Sequence, residues 1–123
     1  MASKLSPMRD AFHDELDAIT ASLVEMGHSV SLAMREGTTA LLTSDLKLAE
    51  KVIADDDRID AMQHDLEASA IDIMARQQPV ARDLRTLVTS LRMSADLERM
   101  GDFGHHIAKI ARMRYPSAAV PPE

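Results

Sequence analysis

The sequence predicts an all-α protein, an antiparallel up-down-up bundle of three long helices. Three observations carry this reading. Aromatic residues make up only 2% of the chain, while Met is frequent at 9 residues and Gly scarce at 4. Ala, Leu, Met, Arg and Glu lose little rotamer freedom in a helix, and a core without Trp must be filled by aliphatic side chains, as helix bundles do. Apolar residues recur at alternating steps of four and three, the seam of a helix that packs on others. Only two short breaks interrupt the pattern.

The first helix is expected to start near Ser6-Pro7, with Ser6 as N-cap and Pro7 at the first helical position. Its seam is Phe12, Leu16, Ile19, Leu23, Met26, Val30, Ala33, Gly37 and Leu41, reaching about Leu42. Gly27 and Gly37 interrupt good helix formers and either permit close helix approach or weaken the helix. Ser44 or Asp45 can cap the second helix. Leu46, Ala49, Val52, Ile53, Ile59, Met62, Leu66, Ile71 and Ile73 line that helix, which ends near Gln77-Gln78 because Pro79 disfavours helix in the residue before it. The third helix carries Val80, Leu84, Leu87, Val88, Leu91, Ala95, Leu97, Met100, Ile107 and Ile110, and stops before Pro116. Each helix is about 30 to 36 residues, on the order of 50 Å at 1.5 Å per residue. Such short connections make sequential helices antiparallel neighbours; an extended coiled-coil oligomer is the alternative. The domain is therefore placed at residues 6–115, with a loose tail at 116–123.

Net charge is −6, with 20 acidic against 14 basic residues. A general nucleic-acid binder needs a basic face, so this class is disfavoured. Without cysteine there is neither disulfide nor thiolate metal site. No apolar run is long enough to span a membrane, and residues 1–8 lack the apolar core of a signal peptide. A soluble cytoplasmic protein is expected.

Two carboxylate pairs continue apolar stripes. Ala49 and Ile53 lead to Asp56, Asp60, Gln63 and Glu67; Leu84, Val88, Leu91 and Ala95 lead to Glu98, Asp102 and His105. Spacing i, i+4 puts each pair on one helix face. Asp60 and Glu98 each lie 19 residues from Pro79, and Asp56 and Asp102 each lie 23 from it. Helices rising equally from one turn would set all four at one height. Gathered carboxylates repel, so protons, a nearby Arg (Arg58, Arg92 or Arg99) or a cation must compensate. Oxygen ligands fit iron, Mn, Mg, Ca or Zn, and His105 or His106 would shift the preference toward transition metals. Against this, paired acids on a long helix are commonly solvated, and Asp55-Asp56-Asp57 reads equally as an acidic patch. His13, His28 and His64 are single histidines expected in exposed or packed roles, and the Met residues as core filling.

Other chemistry is missing. There is no Gly-rich phosphate loop and no nucleophile elbow. Helical di-metal oxidases use Glu-x-x-His on two helices, whereas Glu98 is followed at i+3 by Gly101.

Three stretches resemble the PhoU family of phosphate-signalling regulators: Val52 to Asp60 (VIADDDRID), Ala75 to Arg85 (ARQQPVARDLR) and Asp96 to Asp102 (DLERMGD). Phe12 to Leu16 and Met26-Gly27 are similar to the family's first helix, so the resemblance covers about Phe12 to Tyr115. It implies one of two tandem three-helix repeats, each with an E/D-x-x-x-D motif on two helices that holds iron or another metal in some members. By position those motifs are Asp56/Asp60 and Glu98/Asp102, with Glu67, His105 and His106 as further candidates. It also implies a non-enzymatic repressor of the phosphate-starvation response, acting with the phosphate ABC transporter ATPase and a membrane sensor histidine kinase. A metal-dependent enzyme or metal store, and a structural dimerisation bundle, are the competing readings. The sequence stops at Pro122-Glu123, where a second repeat would begin, so a lone repeat that oligomerises or exposes an apolar patch is expected.

Overall fold

The structure, a computed structural model, describes residues 2–117, with side chains from residue 11 onward. Three helices make up the fold: α1 (Ala2–Thr43), α2 (Leu46–Gln77) and α3 (Ala81–Arg114). There is no strand among the described residues. Of the tail expected at 116–123, residues 118–123 lie outside the described residues.

The breaks fall where turn chemistry puts them. Asp45 caps α2, its carboxylate accepting from the Leu48 amide at 3.1 Å. That bond satisfies one of the amides a helix start leaves open. Gln78 closes α2 in the left-handed region (φ 45°), donating its amide to the Met74 carbonyl. Pro79 and Val80 complete the turn. The expected cap at Ser6 is not used, because α1 already begins at Ala2. Pro7 then sits near the helix start, where its missing amide removes a single backbone bond.

Paired contacts fix the directions. Val30 packs near Gly101 and Ala33 near Gly104, so α1 and α3 run parallel. Ile59 meets Gly101 while Asp56 meets His105, so α2 runs antiparallel to α3. The α1 seam is inside as expected: Leu16, Ile19, Leu23, Met26, Val30, Ala33 and Gly37 are all buried. Two core clusters stack along the bundle. Near the Pro79 turn the core is Leu16, Ile19, Leu23, Leu66, Ala70, Ile73 and Leu87. At the other end it is Met26, Val30, Ala33, Ala40, Ala49, Val52, Ile59, Ala108 and Ala111.

Helix α3 departs from expectation. Its buried positions are Leu87, Ser90, Ser94, Gly101, Gly104, Ala108 and Ala111. Val80, Leu84, Met100 and Ile110, read as seam residues, are exposed, as is Ile71 of α2. For Met100 and Ile110, at the far end, close helix approach explains this. A Cβ added at Gly37 would lie 2.8 Å from the Gly104 carbonyl oxygen, and one at Gly104 would lie 3.0 Å from the Ala33 backbone. Only small side chains fit between backbones this near. The two buried serines are satisfied within their own helix, Ser90 donating to Thr86 and Ser94 to Leu91, each at 2.8 Å.

Candidate functional site

On α2 the buried face runs Val52, Asp56, Ile59, Gln63 and Leu66. Helical periodicity thus carries Asp56 into the core, only 7% exposed, with Asp60 one turn on and half-buried. Asp56 is therefore not part of a solvated patch, unlike its exposed neighbour Asp57. From α3, Asp102 and His105 flank the contact made by Gly101 and Gly104. Gly101 lets α3 approach until a Cβ there would sit 3.3 Å from Ile59 Cγ2.

One carboxylate oxygen each from Asp56, Asp60 and Asp102 lie within 4.8 Å of one another. His105 adds a fourth group, its Nδ1 donating to Asp56 Oδ2 at 2.9 Å. Burial raises the Asp56 pKa above the ordinary carboxylate value, and the charges of Asp60 and Asp102 push the same way. His105 opposes the shift through its charge and its hydrogen bond, without cancelling it.

The cluster is short of donors. Asp56 Oδ1, Asp60 Oδ1 and His105 Nε2 are buried with no hydrogen-bond partner. When the imidazole carries a single proton, on Nδ1 and directed at Asp56, its Nε2 presents a lone pair. All three orphaned atoms then offer lone pairs, and each needs a proton or a cation. None of the expected arginines answers: Arg99 pairs with Asp96 at 3.5 Å, and neither Arg58 nor Arg92 forms an ion pair among the described residues. A cation bound by carboxylate oxygens, with imidazole nitrogen beside them, fits this donor set.

The remaining candidates stand apart. Glu98 is half-buried but outside the three-carboxylate group. The reason is register. Ile59 lies 20 residues before Pro79 and its partner Gly101 lies 22 after; Asp56 lies 23 before and His105 lies 26 after. Facing positions are thus displaced along α3 by two to three residues, which leaves Glu98 on the hairpin side of the group and brings in His105. Glu67 is exposed and accepts from Gln63 Nε2 at 2.9 Å. His106 is exposed. Sequence reasoning missed Gly101 and Gly104, although their i, i+3 spacing on one helix face was the available signal.

Comparison with known proteins agrees with this architecture. The PhoU domain family matches residues 23–111, which contain every group of the cluster. Two relatives named phosphate-specific transport system accessory protein PhoU homolog 2, from Mycobacterium bovis and Mycobacterium tuberculosis, are each 45% identical over 116 residues. The match covers 94% of this chain and 54% of theirs. A PhoU homolog from Rhizobium meliloti is 42% identical over 99 residues, covering 80% of this chain and 42% of its own. The chain spans about half the length of the curated relatives it matches. With a family match over most of its residues and identity of this order along nearly its whole length, the chain belongs to the PhoU family.

Proposed function

We propose that this chain is an accessory regulator of phosphate uptake and of the phosphate-starvation response, acting through protein contacts rather than catalysis. Its partners are the phosphate transporter's ATPase and a sensor histidine kinase, met at the cytoplasmic membrane face. The observation that carries this reading is the 45% identity over 94% of the chain to proteins named as phosphate-transport accessory proteins. Association through partners also suits a chain in which, among the described residues, no helix is long and apolar enough to cross a membrane. In this reading Asp56, Asp60 and Asp102 hold a cation, with His105 at its side. The bound ion supplies positive charge that offsets carboxylate repulsion. The residues then tie α2 to α3 in one register and so keep the bundle's surface in a fixed shape for its partners.

Binding of the tagged chain to membranes carrying the transporter and kinase tests the regulatory role. Retention of either partner supports it, and persistent absence of both removes it. The ion is tested separately, by thermal melting with Zn²⁺, Mn²⁺ or Fe²⁺ and with chelator. A higher melting temperature with metal is expected, and Asp60→Asn with Asp102→Asn should abolish the difference. Identical melts of the parent protein under all conditions would discard the cation and leave the adaptor role standing. The three orphaned lone-pair atoms favour a metal store as second reading, to be recognised by reversible uptake without either partner.

A further inference from the structure

A groove of about 560 Å³ runs between α1 and α3 on the Pro79 half of the bundle, with no residue from α2 in its lining. That volume falls in the range of small-molecule sites, roughly 300–1,000 Å³. One end of the groove is apolar. Val24 and Met93 are 56% and 48% exposed there, with Leu23 and Leu97 beside them. Gly27 completes this end without a side chain, and a Cβ added to it would meet nothing within 4 Å, so the groove is open at that point. The unbranched, polarizable side chain of Met93 suits an occupant of adaptable shape.

The other end is basic. Arg82, Arg85 and Thr89 follow one another at i, i+3 and i+7, so they share one face of α3. Neither arginine forms an ion pair among the described residues. The chain has 20 acidic residues, yet no acidic side chain lines the groove among the described residues. Thr20, Thr86 and Ser90, which also line it, spend their hydroxyl protons on the carbonyls of Leu16, Arg82 and Thr86. The free donors are therefore gathered on the stretch from Arg82 to Thr89. We propose that the α1–α3 groove binds a single-chain lipid phosphate, with the phosphate held by Arg82 and Arg85 and the aliphatic tail laid between Val24 and Met93.

Each part of the groove selects a part of this ligand. Two guanidinium forks carry two positive charges. They match a phosphomonoester, of charge about −1.5 to −2 at neutral pH, better than a singly charged carboxylate. Free phosphate would leave the apolar end facing water. A nucleotide would bring a ring to stack, and no aromatic side chain lines the groove among the described residues. A partner's helix would need apolar anchors over several turns, whereas the apolar wall on α1 runs only from Leu23 to Gly27, about 6 Å. From Arg85 to Leu97 the path along α3 is about 18 Å, which gives an aliphatic chain room to lie lengthwise. The acidic cluster lies between α2 and α3, so the two sites share no residue.

Calorimetric titration of the full chain with dodecyl phosphate, kept below its micelle concentration, tests this. One molecule bound per chain is expected, with helicity by circular dichroism unchanged. Inorganic phosphate, which lacks the tail, and dodecyl maltoside, which lacks the charge, should each bind at least roughly 30-fold more weakly. Dodecanoate should bind roughly tenfold more weakly, having one charge for two arginines. Arg82→Gln and Arg85→Gln should each weaken dodecyl phosphate roughly tenfold. Gly27→Leu should abolish binding, because the new side chain fills the tail end. It should also raise the melting temperature, since Leu favours helix over Gly, so that unfolding does not account for the loss. Ile71→Glu, on the exposed side of α2, should leave binding unchanged. Equal affinity for inorganic phosphate, for the maltoside or for dodecanoate overturns the proposal. So does the binding of many molecules per chain, or binding indifferent to Gly27→Leu. Capture on phosphatidylcholine vesicles containing phosphatidic acid that depends on the arginines but not on Gly27 would assign those arginines to a membrane surface and overturn the groove.

Discussion

The two ends of the bundle are built on opposite principles. Near Pro79 the core is Leu and Ile, with one Ala among its seven buried residues. At the far end five of nine are Ala, and Gly37, Gly101 and Gly104 lie among them. The first end gains stability from apolar area removed from water, in proportion to side-chain size. The second holds backbones so close that large side chains are excluded. There carboxylates on two helices come within 4.8 Å, and the acidic cluster sits in the small-residue half.

Truncation should break the Leu end hardest. Leu87 is fully buried, and Leu87→Ala should cost about 3 kcal/mol by urea unfolding, from lost transfer energy plus a cavity. A cost under 1 kcal/mol would mean that this end is loosely packed and the contrast false. Enlargement should instead break the Gly end. Gly37→Ala should cost roughly 2 kcal/mol, because the new methyl meets backbone, which cannot rotate away. If it stabilised the protein, the helices would not be in glycine contact.

A smaller effect sharpens the comparison from inside the cluster. The raised Asp56 pKa means that the folded protein takes up a proton at higher pH than the unfolded chain does. Its contribution is fully present below the ordinary carboxylate range and is lost as pH rises through the folded value. Asp56→Asn, with chelator present, should therefore melt higher than the parent at neutral pH, and the gap should close as pH falls below about 4. A gap independent of pH would point to packing rather than charge. The smallest change should come from Gly27, whose added Cβ would meet nothing within 4 Å. Gly27→Ala should stabilise by about 0.5–1 kcal/mol, since no contact opposes the gain in helix preference.

Most of the fold was legible in the sequence because its signals are local. The α1 seam is a spacing, the Asp45 cap is an Asp before an apolar run, and the end of α2 is dictated by Pro79. The inward face of α3 was not. Ranking by hydrophobicity selects Leu84, Met100 and Ile110, while close packing selects Ser94, Gly104 and Ala108. The difference depends on the distance to α1, which no spacing within α3 encodes. The site was half legible for the same reason. Asp56, Asp60 and Asp102 follow from a symmetric hairpin, but the displacement that exchanges Glu98 for His105 comes from how Ile59 seats against Gly101. Counting from the turn is blind to it.

The facing glycines at 37 and 104 also restrict how this chain can change over generations. Every other amino acid carries a Cβ, so neither position has an intermediate that admits a slightly wider spacing. The separation of α1 and α3 can therefore move only in a jump, with several residues altered together. Helix spacing at this contact is thus a discrete character, whereas Gly27, where an extra methyl has room, carries no such restriction.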